Sequence, residues 1–162
     1  MMQQKSEIEI RKLVEADLPA VMNIDSMVHG NERLPTWPFS FEAYWSIYRP
    51  DIRLVAVIKG EVVGFVVGTI VQDEHSQSVV NLVHSAEPTD RHRWVGWLDM
   101  IGIRPEQRNK GIGRSLMETF YRECKTRNAV TRSVAYSNDD QFQSFLGSMG
   151  FKKSNIVVYE KD

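Results

Sequence analysis

Residues 97–127, WLDMIGIRPEQRNKGIGRSLMETFYRECKTR, restrict the fold of this chain more than any other stretch. Residues 97–103 are apolar and alternate enough for a strand. Residues 104–113 form a basic loop with two glycines, Gly111 and Gly113. Over residues 112–127, Ile112, Leu116, Met117, Phe120, Tyr121 and Cys124 fall on one helical face. Arg114, Glu118, Arg122 and Lys125 fall largely on the other, with Glu118 and Arg122 at i,i+4 spacing. A strand therefore feeds a glycine loop, and the loop opens a helix. The first amides of a helix lack partners within it, and the macrodipole makes that end positive. An anion such as a pyrophosphate can bind there. Gly111 and Gly113 have no Cβ to hold it off, and Arg104, Arg108, Lys110 and Arg114 surround the loop with positive charge.

The loop is neither of two common phosphate binders. A P-loop needs GxxxxGK[ST], which does not occur. A dinucleotide fingerprint needs GxGxxG, and the third small residue is replaced by Leu116. At 162 residues the chain has room for one good core and not for two typical domains. A net charge of −1 gives no electrostatic reason to expect nucleic acid or a membrane as partner. The basic residues are concentrated locally, which suits a small phosphorylated ligand better than a polymer. Cys124, the single cysteine, cannot pair within the chain; it reads as a buried thiol or, as the alternative, a nucleophile. The first ten residues are polar and carry no signal-peptide core, so a cytoplasmic location is expected. Residues 54–71, the most apolar run, are interrupted by Lys59, Gly60 and Glu61, as a hairpin is and a membrane span is not.

In chain order, residues 7–14 alternate as a first strand, with Ile8 and Ile10 against Glu9 and Arg11. Asp17 and Pro19 mark a helix start. Residues 29–40 are broken by Gly30, Pro35 and Pro38 and read as a loop. Ser40 caps a second helix, whose Phe41, Tyr44, Trp45 and Tyr48 line one face. Residues 53–58 and 61–71 are strands joined at Lys59-Gly60, and Gly64 and Gly68 mark a bulge or a close approach. Residues 72–95 are polar, hold His75, His84 and His92, and carry no readable motif. No zinc-site spacing is present among the histidines, so no metal is expected, and no GxSxG elbow occurs. Residues 130–136 form a strand, Ser137 or Asn138 caps the next helix, and Gly150 ends it. Strands from Phe151 and over residues 156–159 complete the chain.

The run Arg108-Asn109-Lys110-Gly111-Ile112-Gly113 fits [QR]xxGx[GA]; with Ile103-Arg104-Pro105 before it and Leu116 after it, it resembles the acyl-CoA-binding motif of the GNAT superfamily of N-acetyltransferases. The element order β-αα-βββ-α-β-α-ββ, and Gly150-Phe151 after the Asn138-headed helix, are similar to that family over nearly the whole chain. The resemblance implies one α/β domain over residues 1–162, with a central mixed, mostly antiparallel sheet flanked by helices. It implies acetyl-CoA as acyl donor and a primary amine as acceptor, whether on a small amine, an amino acid, an antibiotic, a protein N-terminus or a lysine; dimerisation is common in the family. Backbone groups of Ile101, Gly102 and Ile103 would pair with the pantetheine arm and polarise the thioester. Arg108, Asn109, Lys110, Gly111, Ile112, Gly113 and Arg114 would bind the pyrophosphate, and Asn138 would touch the CoA arm. The first two helices and their loop would form a wall of the acceptor site, making Trp37, Phe39, Tyr44 and Trp45 either wall or core residues.

Acyl transfer to an amine needs a group to take the proton of a base with pKa of about 10, and donors for the oxyanion. Asp99 is a charge inside an otherwise apolar strand, on a face with Trp97 and Ile101. It matches a position where many family members carry Asp or Glu, and reads as the catalytic or substrate-orienting carboxylate or as a structural one. Glu32, Glu87 and His92 are weaker candidates. The tyrosine that many members use to protonate the leaving thiolate is here Phe145, which leaves Tyr136, Tyr159, water or no acid at all. Two rival readings stay open: a non-catalytic acyl-CoA-binding or sensing module, and a nucleotide-binding domain.

Overall fold

The computed structural model describes residues 7–30, 39–72 and 94–153. Trp37, Glu32, Glu87, His75, His84, His92, Tyr159 and the strand expected over residues 156–159 lie outside them.

Strand β1 (Glu9–Lys12) leads through a 3-10 turn (Glu15–Asp17) into helix α1 (Leu18–His29), followed by α2 (Phe41–Ile47). Strands β2 (Ile52–Ile58), β3 (Glu61–Gln72) and β4 (Trp94–Ile103) come next, then a 3-10 turn (Pro105–Gln107) and helix α3 (Ile112–Thr126). Strand β5 (Ala129–Ser133) and helix α4 (Asp140–Ser148) complete the described part. Among the described residues the sheet runs β1-β2-β3-β4-β5. Its first three pairings are antiparallel and β4–β5 is parallel. The mixed, mostly antiparallel sheet expected from the sequence is thus present.

Each sheet face has its own apolar layer. Leu116, Met117, Phe120 and Cys124 of α3 are buried against Leu54, Ala56, Val66 and Leu98. On the opposite face, Val21, Ile24, Phe41 and Tyr44 of α1 and α2 are buried against Val55, Phe65, Val67 and Met100. Each large side chain fully buried in this way is worth about 1.5–3 kcal/mol. Gly68 is one point where α3 presses on the sheet: a Cβ there would collide with the Trp97 carbonyl and the Phe120 ring.

Several sequence expectations are corrected. Tyr121 is 51% exposed and leaves the α3 stripe, which lies one side of it. Arg122 bonds Thr119, and it is Arg114 that reaches Glu118, at 4.0 Å. Strand β5 stops at Ser133, short of Tyr136. Asp139, not Ser137 or Asn138, caps α4: its carboxylate accepts from the Phe142 amide at 2.9 Å. Asp17 stands at the start of α1, but its carboxylate faces backward, accepting from Arg11 at 2.7 and 2.9 Å and from the Val14 amide at 2.9 Å. Asp17 therefore ties β1 to the helix entry instead of capping the helix.

Candidate active site

The register of β4 builds the site. Val67 of β3 pairs with Met100 and the next residue, Gly68, pairs with Leu98, so Asp99 is left over as a bulge. The bulge switches the faces of β4. Leu98 packs with the α3 layer, whereas Met100 packs with α1 and α2. Asp99 also turns to the α1–α2 side, where its Oδ2 accepts from the Tyr44 hydroxyl at 2.7 Å and from Thr69 Oγ1 at 2.5 Å. Ile101 packs with the α3 layer, so the single face expected for Trp97, Asp99 and Ile101 is broken at the bulge. Burial first, and then the Asp99 charge, push the Tyr44 phenol well above its ordinary pKa. Tyr44 therefore stays a donor to Asp99.

The same point opens the sheet. Parallel pairing of β4 with β5 covers Trp94 to Leu98 and ends at the Leu98–Ser133 pair. Past it the two segments part, and a cleft of about 1270 Å³ lies between them, lined by residues 98–103 on one side and by Ser133, Val134 and Tyr136 on the other. Ile101, Gly102 and Ile103 thus present a strand edge that β5 does not cover.

At one end of the cleft stands the start of α3. Gly111 is its N-cap residue at φ 82°, a conformation that suits glycine. Asn109 precedes it at φ 61°. A Cβ on Gly113 would come within 3.0 Å of Ile103, so this glycine lets the helix sit against β4. Arg108, Asn109, Gly111, Ile112, Gly113 and Arg114 all line the cleft. Of the four cations around the loop, two point elsewhere: Arg104 reaches Glu61 at 3.4 Å, and Lys110 bonds Gln107 at 3.0 Å. With capping left to Asp139, Asn138 joins the cleft wall beside Phe145. Phe145 stacks on Phe142 and contributes no proton. Tyr136 lines the same cleft.

The acceptor-side aromatics divide. Phe41 and Tyr44 are fully buried, Trp45 packs on their cluster, and Phe39 is exposed. The sequence reading missed His29, which lines the cleft from the end of α1. Its Nδ1 lies 3.0 Å from Asp25 Oδ1. The signal was present, a carboxylate and a histidine four residues apart at a helix end. Among the described residues no cluster of His, Cys, Asp and Glu could hold a metal, and no helix is long and apolar enough to cross a membrane.

Residues 18–151 match the model of the acetyltransferase (GNAT) family. A search of curated proteins found no match. Among solved structures, an aminoglycoside 6'-N-acetyltransferase from Acinetobacter baumannii superposes with TM-score 0.70 at 17% identity, over 96% of this chain and 98% of that one. The ribosomal-protein-S18-alanine N-acetyltransferase from Escherichia coli gives 0.67 at 19% identity, over 92% and 80%. An aminoglycoside N-acetyltransferase crystallised with CoA gives 0.72 at 16% identity, over 100% and 99%.

Proposed function

The chain belongs to the acetyltransferase (GNAT) family, and from that premise we propose how its residues divide the work and what kind of amine it takes. The enzyme is an N-acetyltransferase that draws its acyl group from acetyl-CoA. The observation that carries the proposal is the end of β4–β5 pairing at Leu98. It leaves a strand edge, a carboxylate and a helix N-terminus along one cleft. In this reading the amides of Ile101 and Ile103, which alternate away from β3, hold the pantetheine arm as an added strand would, and one of them donates to the thioester oxygen as charge develops on it, while the Gly102 backbone between them pairs with Phe65 of β3. The amides from Gly111 onward, with Arg108 and Arg114, hold the pyrophosphate. Lys110 adds charge from outside the wall, and Asn138 contacts the arm.

Asp99 is the group assigned to the acceptor. Tyr44 and Thr69 fix one of its oxygens and so fix its direction. A carboxylate held there draws an ammonium to the thioester and orients it. The proposed acceptor is accordingly a cationic primary amine, on a small molecule such as an aminoglycoside or at a peptide N-terminus. Both classes are represented among the structural neighbours' acceptors. The cytoplasm is the proposed site of action.

The test is thiol release from acetyl-CoA in the presence of neamine, a peptide with N-terminal alanine, and free lysine. Amine-dependent release, with an acetylated product seen by mass spectrometry, is the expected result. Acetyl-CoA that binds but yields no thiol with any amine would favour a sensing module, in keeping with Phe145.

A further inference from the structure

The cleft holds a second polar device besides Asp99. Asp25 is 2% exposed, yet both its oxygens are engaged: Oδ1 with His29 Nδ1 at 3.0 Å, and Oδ2 with the Phe41 amide at 2.9 Å. Phe41 is the first residue of α2, so that amide is one the helix itself cannot satisfy. The carboxylate is thereby fixed from two elements. It can only accept from Nδ1, which places the neutral ring's proton on Nδ1 and leaves Nε2 as an acceptor. The side chain of His29 retains 17% exposure and lines the cleft. Joining α1 to α2 would need only Asp25 and the Phe41 amide; the imidazole adds a base at the cleft surface.

The reaction needs one. A carboxylate can orient an ammonium, but imidazole is the side chain whose ordinary titration lies nearest neutral pH, where a base is both unprotonated and effective. We propose that His29, held by Asp25, takes the proton of the acceptor amine, directly or through one water, while Asp99 orients that amine. This rests on the acetyl-transfer reading above. The ammonium gives one proton to Nε2, which passes it to solvent. The neutral nitrogen attacks the thioester carbonyl carbon, the C–N bond forms and the C–S bond breaks. The nitrogen's second proton leaves with the thiolate as CoA thiol, so Phe145 need supply none. Among the described residues, the other charged groups along the cleft are Asp99, Arg108, Arg114 and Asp139.

Asp25→Asn separates this role from a structural one. The Asn carbonyl still accepts from the Phe41 amide, but its NH₂ donates to Nδ1 and drives the ring proton to Nε2, the wrong tautomer for a base. The experiment is long-range ¹⁵N NMR of the imidazoles in the acetyl-CoA-saturated protein, with His29→Gln to assign the signal, followed by pH–rate profiles. The neutral Nδ1–H tautomer is expected in the wild type and the Nε2–H tautomer in Asp25→Asn; Nε2–H in the wild type overturns the proposal without any activity being needed. On any amine the wild type acetylates, His29→Gln and Asp25→Asn are expected to lower kcat by ~10²-fold and abolish the acidic limb of the profile, with acetyl-CoA affinity unchanged. A wild-type rate and profile in both variants overturns the proposal. Failure of the wild type to bind acetyl-CoA, read by calorimetry beforehand, counts against the donor reading alone.

Discussion

Asp99 has one oxygen already holding two hydroxyls, and its substitution has a definite expected outcome. Asn at this position keeps a carbonyl oxygen for Tyr44 and Thr69 but removes the charge that attracts an ammonium. A charge-assisted contact is worth about 1.5–3 kcal/mol, so Asp99→Asn should lower kcat/KM for the amine by ~10–10²-fold, mainly through KM. Steady-state kinetics checks this, and wild-type values for Asp99→Asn would remove Asp99 from the acceptor site. The residue itself was legible, because a lone charge in an apolar strand stands out. Its partners were not. Tyr44 is 55 positions away in the chain, and the bulge that turns Asp99 toward it arises from the pairing of β3 with β4, which alternation within one strand does not record. The Asp25–His29 pair was local and readable in principle. The sequence places His29 in the loop over residues 29–40, whereas it is the last residue of α1, and the burial of Asp25 that sets the pair apart from a solvated i,i+4 contact comes from tertiary packing.

At the scale of elements, the strand–loop–helix unit from β4 to α3 follows from local rules: alternation, a left-handed glycine at the N-cap and a stripe of apolar residues. Boundaries set by capping were less legible, since Ser137, Asn138 and Asp139 are all good N-cap residues and only the backbone decides among them. Gly68 was ambiguous for a similar reason. It proves to be both beside the bulge and a point of close approach to α3. Because one obstacle is a backbone carbonyl, Gly68→Ala should destabilise the fold by ~1–3 kcal/mol, as overpacking does, visible as a lower urea midpoint. An unchanged midpoint would mean that α3 does not press on the sheet there. The junction of β1 with α1 gives a pH prediction. Hydrogen bonds from the Arg11 guanidinium hold the Asp17 carboxyl below its usual pKa, helped by the Val14 amide and opposed by burial. A depressed folded-state value adds stability above the unfolded pKa of about 3.9, and that stability disappears as pH falls through the folded value. Wild type should therefore exceed Asp17→Asn in stability at neutral pH, with the gap closing in urea melts below about pH 4. A gap independent of pH would contradict the ion pair.

For the whole molecule, the decisive feature is a sheet whose β3–β4 pairing runs on to Ile103 while β5 leaves β4 after Leu98. Two apolar layers clamp the joined portion, so the parted portion is held open by a rigid frame and presents α3's first amides, the β4 edge and the α1 end to one cleft. Element order made this architecture readable in advance. The depth of the parting was not, since it depends on which β4 residue is the last to find a partner on β5. Every role assigned above requires that cleft to accept the donor. Calorimetry of the purified protein with acetyl-CoA, and with ATP and NAD in parallel, tests it most directly. Saturable binding of acetyl-CoA in preference to both nucleotides is the predicted result. No binding of acetyl-CoA, or a preference for ATP or NAD, would contradict it.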